Sequence, residues 1–196
     1  MDSPEILLKD GHLWYDPHFF PTGESDTLLA ELQEDIAWRQ ESVTIFGRKI
    51  PQPRLTAWYG DPGKVYSYSG LTWNPLPWTP ALLKIKTKIE SVSRGASFNS
   101  VLLNLYRNGQ DSMGWHSDDE PELGKNPVIA SVSFGESRNF QLRHRLHKKE
   151  ERHSIVLAHG SLLIMLGETQ HFWQHQVPKT AKTINPRVNL TFRWIL

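Results

Sequence analysis

The stretch Arg187-Val188-Asn189-Leu190-Thr191-Phe192-Arg193 alternates without a break. Val188, Leu190 and Phe192 fall on one side of an extended chain; Arg187, Asn189, Thr191 and Arg193 fall on the other. This period of two predicts a strand with one core face and one polar face. Moving back along the chain, similar β-forming runs recur with turns between them, at 99–106, 128–134, 139–145, 153–157, 161–166 and 172–177, the last strand itself extending over 187–195. Before Gly95 the period changes. Thr79-Pro80 opens a helix with Leu82, Leu83, Ile85 and Ile89 apolar and Lys84, Lys86 and Lys88 outside, and Gly95 ends it. An earlier helix runs from a cap at Ser25 or Asp26 to about Trp38, with Leu28, Leu29, Leu32 and Ile36 on one face. Residues 43–46 read as a strand turned by Gly47, and 47–80, rich in Pro, Gly, Trp and Tyr, as irregular strands and loops. Two helices followed by many strands predict an α+β, mainly β fold: helices packed on an antiparallel sandwich or jelly roll.

Composition narrows the class. With 196 residues, 38% hydrophobic and a net charge of +1, the chain suits one soluble domain that buries its own core, not a disordered chain. The absence of cysteine excludes disulfides, thiolate metal sites and a cysteine nucleophile. The start, MDSPEILLKD, shows no signal peptide, and the longest apolar run, 162–166, is far too short to span a bilayer, so no membrane partner is expected. A near-neutral charge confines any nucleic-acid affinity to a local patch. The 8 Trp, 8 Phe and 5 Tyr suit both a core and surfaces that stack on flat groups.

Two constellations carry chemistry. In Trp115-His116-Ser117-Asp118 the imidazole and the carboxylate are two residues apart, on one side of an extended chain. Far downstream, His171-Phe172-Trp173-Gln174-His175 offers a third ligand. His171 and His175 share strand parity, so periodicity leaves both open. Two histidines and one carboxylate with open positions form the facial triad of non-haem Fe(II) oxygenases. The polar face of 187–193 reads either as a solvated side of a half-exposed strand or as a carboxylate pocket, since a planar guanidinium binds carboxylate bidentately.

Taken together with Asn104-Leu105-Tyr106, His116-Ser117-Asp118-Asp119-Glu120, the run 130–135, His159-Gly160 and His175 before Val177-Pro178, these stretches resemble the AlkB-type Fe(II)/2-oxoglutarate-dependent dioxygenases, most of all the animal homologues that repair alkylated DNA and RNA. The resemblance runs from about residue 42 to 196. It implies a double-stranded β-helix, or jelly roll, in a single domain: an N-terminal extension with a helix (1–41), a nucleotide-recognition lid (42–80), and a helix with the catalytic core (81–196). It implies His116, Asp118 and His175 as Fe(II) ligands and chooses His175 over His171. Arg187 matches the partner of the distal carboxylate of 2-oxoglutarate, with Asn104, Tyr106, Asn189, Thr191 and Arg193 completing that pocket. The activity implied is oxidative demethylation of 1-methyladenine and 3-methylcytosine, consuming 2-oxoglutarate and O₂ and releasing formaldehyde, succinate and CO₂.

Chemistry on the Watson–Crick edge requires a flipped base or a single strand. Tyr66-Ser67-Tyr68-Ser69 falls where the family has its lid. Tyr68 is expected to stack on the base opposite His116, with Tyr66 and Ser69 near sugar or phosphate and Trp58-Tyr59 lining the lid; for Trp58, core packing is the stronger expectation. Asp119 matches a substrate-contacting acid, assisted by Glu120; an ionised carboxylate there favours cationic bases. Phe46, beside Arg48 at a hairpin tip, matches the apolar finger of duplex-acting relatives. The stretch 53–60, with Arg54, is more like the single-strand- and RNA-acting relative, so the two signals point to different substrates. Arg143, Arg145, Lys148 and Lys149 form the one dense basic run; with Lys179 and Lys182 they can hold phosphates or simply be a solvated hairpin loop. The protein is expected to be a monomer acting on alkylated DNA, with RNA as a further candidate. It is expected in the cytoplasm if bacterial, and in the nucleus or cytoplasm if eukaryotic. The rival readings are the same oxygenase core acting on a tRNA base, a protein or a lipid, and a non-catalytic nucleic-acid-binding domain.

Overall fold

A computed structural model describes residues 4–45, 47–64, 66–68, 71–147, 149 and 151–196. In chain order its elements are β1 (Glu5–Leu8), β2 (Gly11–Asp16), α1 (Thr22–Asp35), β3 (Ser42–Ile45), β4 (Arg48–Pro51), β5 (Leu55–Gly60), β6 (Tyr66–Tyr68), β7 (Leu71–Trp73), α2 (Pro80–Glu90), β8 (Ser100–Tyr106), β9 (Met113–His116), β10 (Ile129–Gly135), β11 (Arg138–His144), β12 (Arg152–Leu157), β13 (Ser161–Leu166), α3 (Thr169–Phe172), β14 (Trp173–Val177) and β15 (Arg187–Arg193). Seven strands form a major sheet in the order β1-β2-β13-β10-β15-β8-β5, and four form a minor sheet in the order β12-β11-β14-β9. Both sheets are antiparallel throughout. The hairpins β3–β4 and β6–β7 stand apart from them.

The alternation read in the sequence sorts the major sheet into two faces. Val188, Leu190 and Phe192 of β15, Ala130, Val132 and Phe134 of β10, and Leu162 and Ile164 of β13 pack with Leu28 and Leu32 of α1 and Leu82, Ile85 and Ile89 of α2. The opposite residues, among them Leu163 and Met165, pack against Phe140, Leu142, Ile155, Leu157, Trp173 and Val177 of the minor sheet. Burying such apolar faces on both sides is the main stabilisation of the sandwich. Glu24 of α1 bridges to Lys84 at 3.1 Å and Lys88 at 2.8 Å on α2.

Several expectations need adjustment. α1 starts at Thr22, with Pro21 in the cap position and no side-chain cap. Ser25 is instead buried within the helix, where its Oγ donates to Phe20 O at 3.3 Å, and the helix ends at Asp35, short of Trp38. Thr79 does cap α2, accepting from Leu82 N at 3.3 Å, but Leu83 points to solvent, and α2 stops at Glu90, before Gly95. The first residues hold more than a helix: β1 and β2 form a hairpin whose second strand pairs with β13 and buries Leu13 completely. Within 42–80, β5 is the edge strand of the major sheet, paired with β8. Gly160 joins these parts with φ +79; a Cβ there would meet Phe20 O at 2.6 Å, so a larger residue would push α1 off the sheet.

Candidate active site

All seven residues of β15 are buried. Its polar face is therefore not the solvated side of a half-exposed strand; it is enclosed between the two sheets. The registers place Arg187 opposite Tyr106 and Asn189 opposite Asn104 on β8, and Thr191 opposite Ser131 and Asn189 opposite Ser133 on β10. Asn104, Tyr106, Ser131, Arg187, Asn189, Thr191 and Arg193 line one cavity together with His116, Asp118 and His175. Every cavity residue expected from the sequence for metal and 2-oxoglutarate is in that lining.

The three candidate ligands converge from two places. His116 ends β9 and pairs across to His175 of β14, with ring centroids 4.2 Å apart. Asp118 lies just beyond β9. Ligand atoms of the three lie within 4.8 Å of one another, and His175 Nε2 is 3.9 Å from Asp118 Oδ2. His116 Nδ1 donates to Gly114 O at 2.9 Å, which leaves Nε2 with the lone pair that a metal needs. Phe140 packs on the His175 ring at 5.0 Å. Asp118 accepts from Arg193 Nη2 at 2.7 Å, and its backbone N–H donates to Gln170 Oε1 at 2.9 Å. His171, the other candidate, sits on α3 with its ring at Asn126 Oδ1, 2.9 Å away, outside this group.

The electrostatics suit a cation. Burial raises the Asp118 carboxyl, but Arg193, His175 and His116 outweigh it and hold the group down at about 2. Burial lowers His175 to about 3, helped by His116 and opposed by Asp118; it also lowers His116. At neutral pH the site is one carboxylate and two neutral imidazoles, the form that binds metal. Arg187 is 1% exposed and desolvation lowers it to about 10. Its Nη2 donates to Ser133 Oγ at 2.8 Å, while Nε and Nη1 are buried with no hydrogen-bond partner among the described residues. Orphaned buried guanidinium donors are costly; a carboxylate from a bound molecule would satisfy them. The donor set and these orphans together fit a divalent metal and a dicarboxylate co-substrate.

The substrate-side expectations fare unevenly. Trp58 is buried among inter-sheet side chains, in keeping with the core packing expected of it; Tyr59 is also buried and accepts from Ala37 N at 3.0 Å. Arg54 is 4% exposed and donates to Asn104 Oδ1 at 2.7 Å and Ser112 O at 3.3 Å. The first of these bonds ties it to a residue of the cavity wall, Asn104. Tyr66 and Tyr68 lie on β6, placed here by backbone alone. Arg48 is exposed at the tip of the β3–β4 hairpin. Asp119 is exposed and pairs with Arg145 at 2.8 Å; Glu120 is half-buried. Arg143 lies over Trp115, 4.2 Å from the ring centroid, and donates to Gln174 Oε1, so it is a packed residue and no loose loop cation. Lys149, Lys179 and Lys182 are exposed. Phe46, Ser69 and Lys148 lie outside the described residues.

Three residues were not singled out from the sequence. Ser131 and Ser133 accept from Asn189 and Arg187 at 2.8 Å each; their alternation with Ala130, Val132 and Phe134 was the available signal. Gln170 orients Asp118 through its backbone, a role no local pattern announces.

Residues 12–193 match the 2OG-Fe(II) oxygenase superfamily. Over 187 residues the chain is 48% identical to human alpha-ketoglutarate-dependent dioxygenase alkB homolog 3, covering 91% of this chain and 64% of that protein, so it spans less than two thirds of that relative. The alkB homolog 3 of Bos taurus is 47% identical, with 98% of this chain and 73% of that protein covered. Human DNA oxidative demethylase ALKBH2 is 43% identical, with 90% and 71% covered. Among solved structures, that of OsALKBH1 superposes with TM-score 0.68 at 20% identity, covering 96% of this chain and all of that one. A Pseudomonas putida prolyl-4-hydroxylase gives TM-score 0.58 at 16% identity, covering 93% and 92%. At these identities the structural likeness speaks for the jelly-roll fold alone.

Proposed function

The chain belongs to the 2OG-Fe(II) oxygenase superfamily, and from that premise we propose that it oxidatively demethylates N-alkylated bases, 1-methyladenine and 3-methylcytosine, in DNA, with RNA as a second substrate class. The observation that carries the reading is the shared cavity: His116, Asp118 and His175 gathered beside the unsatisfied donors of buried Arg187. Relatives named as a DNA oxidative demethylase and as alkB homolog 3 support the substrate class.

Bound Fe(II), with 2-oxoglutarate and O₂ as co-substrates, would supply the oxidising power that removes a methyl group as formaldehyde. The chain supplies geometry and charge. His116, Asp118 and His175 would hold the metal on one face and leave the opposite face open. Arg193 holds the Asp118 carboxylate and Gln170 holds the Asp118 backbone N–H, which together restrict the ligand's orientation. Arg187, itself held by Ser133, would clamp the distal carboxylate of 2-oxoglutarate at the far end of the cavity. The apolar wall of Leu102, Phe140, Leu157 and Met165 keeps water from the reacting centre.

The test is incubation with Fe(II), 2-oxoglutarate and single- or double-stranded oligonucleotides bearing 1-methyladenine, scoring formaldehyde and the restored base. Succinate formation without base repair would move the substrate elsewhere; no turnover of either would remove the enzyme.

A further inference from the structure

Ser117 stands between the candidate ligands His116 and Asp118, and its side chain bonds across to the strand that carries the third. β9 ends at His116, opposite His175 of β14, and the pairing of these two strands shifts register between His175 and Val177. Past His116, side chains take over from the ladder. Ser117 Oγ donates to Trp173 O at 2.9 Å, and the Asp118 backbone N–H donates to Gln170 Oε1 at 2.9 Å. Both acceptors belong to the short segment that leads into His175. Trp173 is fully buried. The rings of His144 and His153 pack on its indole, with centroids 5.4 and 5.5 Å away, and its Nε1 donates to Lys9 O at 2.8 Å in the turn of the β1–β2 hairpin. That turn lies directly on the indole: a Cβ at Gly11 would meet Trp173 Nε1 at 2.9 Å. Thr169 of α3 repeats the attachment, accepting from His12 N at 2.9 Å and donating to His12 O at 3.2 Å.

We infer that Ser117 is a positioning residue of the metal centre, and that Trp173 anchors it to the N-terminal hairpin. The inference rests on the metal reading above and deepens it. A segment beyond the end of its ladder opens locally at little cost, and Asp118 lies on such a segment. The Ser117 hydroxyl ties that segment to the backbone two residues before His175, so the three donors keep one spacing. The indole bond to Lys9 in turn keeps the Trp173 backbone from sliding along its strand. The β1–β2 hairpin thus reaches the site through two side chains, neither of which offers a ligand atom. Partners of this kind orient metal ligands and are worth about 10- to 100-fold in affinity.

The test titrates the full chain, freed of metal, with Co(II), whose d–d absorption reports both affinity and ligand geometry. Ser117→Ala should weaken Co(II) about 10-fold and alter the d–d band, and Ser117→Thr, which keeps the hydroxyl, should restore both. Ser93→Ala is the control. Its buried hydroxyl also donates to a backbone carbonyl, Ile89 O at 2.7 Å, so its loss should lower the melting temperature and leave Co(II) affinity in place. Trp173→Phe keeps a ring but loses the donor to Lys9. It should weaken Co(II) by a smaller factor than Ser117→Ala and add little to that loss in the double variant. Unchanged affinity and an unchanged band in Ser117→Ala would make the hydroxyl a bystander and overturn the inference. An equal loss in Ser93→Ala would assign the effect to general destabilisation and overturn it as well. A Trp173→Phe loss that adds in full to that of Ser117→Ala would detach the indole from the serine and overturn the anchoring. An unaltered protein that takes up no Co(II) would instead sink the metal reading, and the inference with it.

Discussion

Arg193 Nη2 donates to Asp118 Oδ1 at 2.7 Å, joining the last residue of β15 to a loop residue 75 positions earlier, both under 10% exposed. The pair carries the last strand's polar face to the candidate metal centre. Removing one member of a buried pair leaves the other charge uncompensated, at a cost of about 3–5 kcal/mol. Arg193→Ala should therefore lose both stability and metal affinity, read by urea unfolding and by metal titration, and Arg193→Lys should recover part of the first. A stable Arg193→Ala protein with intact metal binding would show that Asp118 needs no such partner.

Arg187 makes the opposite prediction. Its Nε and Nη1 are buried with no hydrogen-bond partners among the described residues, so the guanidinium is a burden until a carboxylate arrives. Arg187→Met removes the buried charge at similar volume and should leave the protein without co-substrate as stable as before or more so. It should also abolish the rise in melting temperature that 2-oxoglutarate gives the unaltered protein. Thermal scans with and without 2-oxoglutarate separate the two effects. Arg187→Lys, lacking the planar fork, should weaken 2-oxoglutarate about 10- to 100-fold, since hydrogen bonds to charged groups are worth about 1.5–3 kcal/mol.

The alternation of Arg187 to Arg193 was enough to read a strand and its two faces, because strand periodicity is a local property. Whether the polar face meets water is not local: it depends on the minor sheet lying over it, and only the folded chain shows Arg187 sealed. The choice between His171 and His175 escapes parity for a related reason. Residues 169–172 form a turn of helix, which takes His171 out of the strand and leaves His175 opposite His116. The β1–β2 hairpin was missed because only Leu13 of β2 is fully buried, so its hydrophobic pattern is weak. Trp58 illustrates the converse: it lies on the same inter-sheet side as the cavity wall, and an aromatic there packs whether or not a ligand is near.

Gln170 tests how far the metal centre depends on residues that touch no ligand atom. Its Oε1 accepts from the backbone N–H of Asp118, and its Nε2 is occupied by Met165 Sδ at 3.3 Å. Outer partners of this kind are worth about 10- to 100-fold in metal affinity. Gln170→Ala should lower Co(II) or Fe(II) affinity by that factor, whereas His171→Ala, one residue away but bound to Asn126, should leave it unchanged. Equal losses in both variants would assign the effect to α3 as a whole.

Protons should compete with the fold itself at this site. Burial holds His175 at about 3, against an ordinary value of 6.5, so between those values the unfolded chain binds a proton that the folded one refuses. Asp118 behaves likewise between its ordinary 3.8 and about 2. Stability falls wherever the unfolded state binds more protons as pH drops; the two groups act in the same direction, with the histidine's loss beginning near pH 6.5 and the carboxylate's below about 4. The metal-free protein should thus melt at progressively lower temperature from pH 7 to pH 4. His175→Gln removes one of the two buried rings whose protonation is suppressed, His116 being the other, and should reduce that slope while leaving the steeper acid loss below it. A variant whose melting temperature falls as fast as that of the unaltered protein over pH 7 to 4 would place the buried histidine outside the cause.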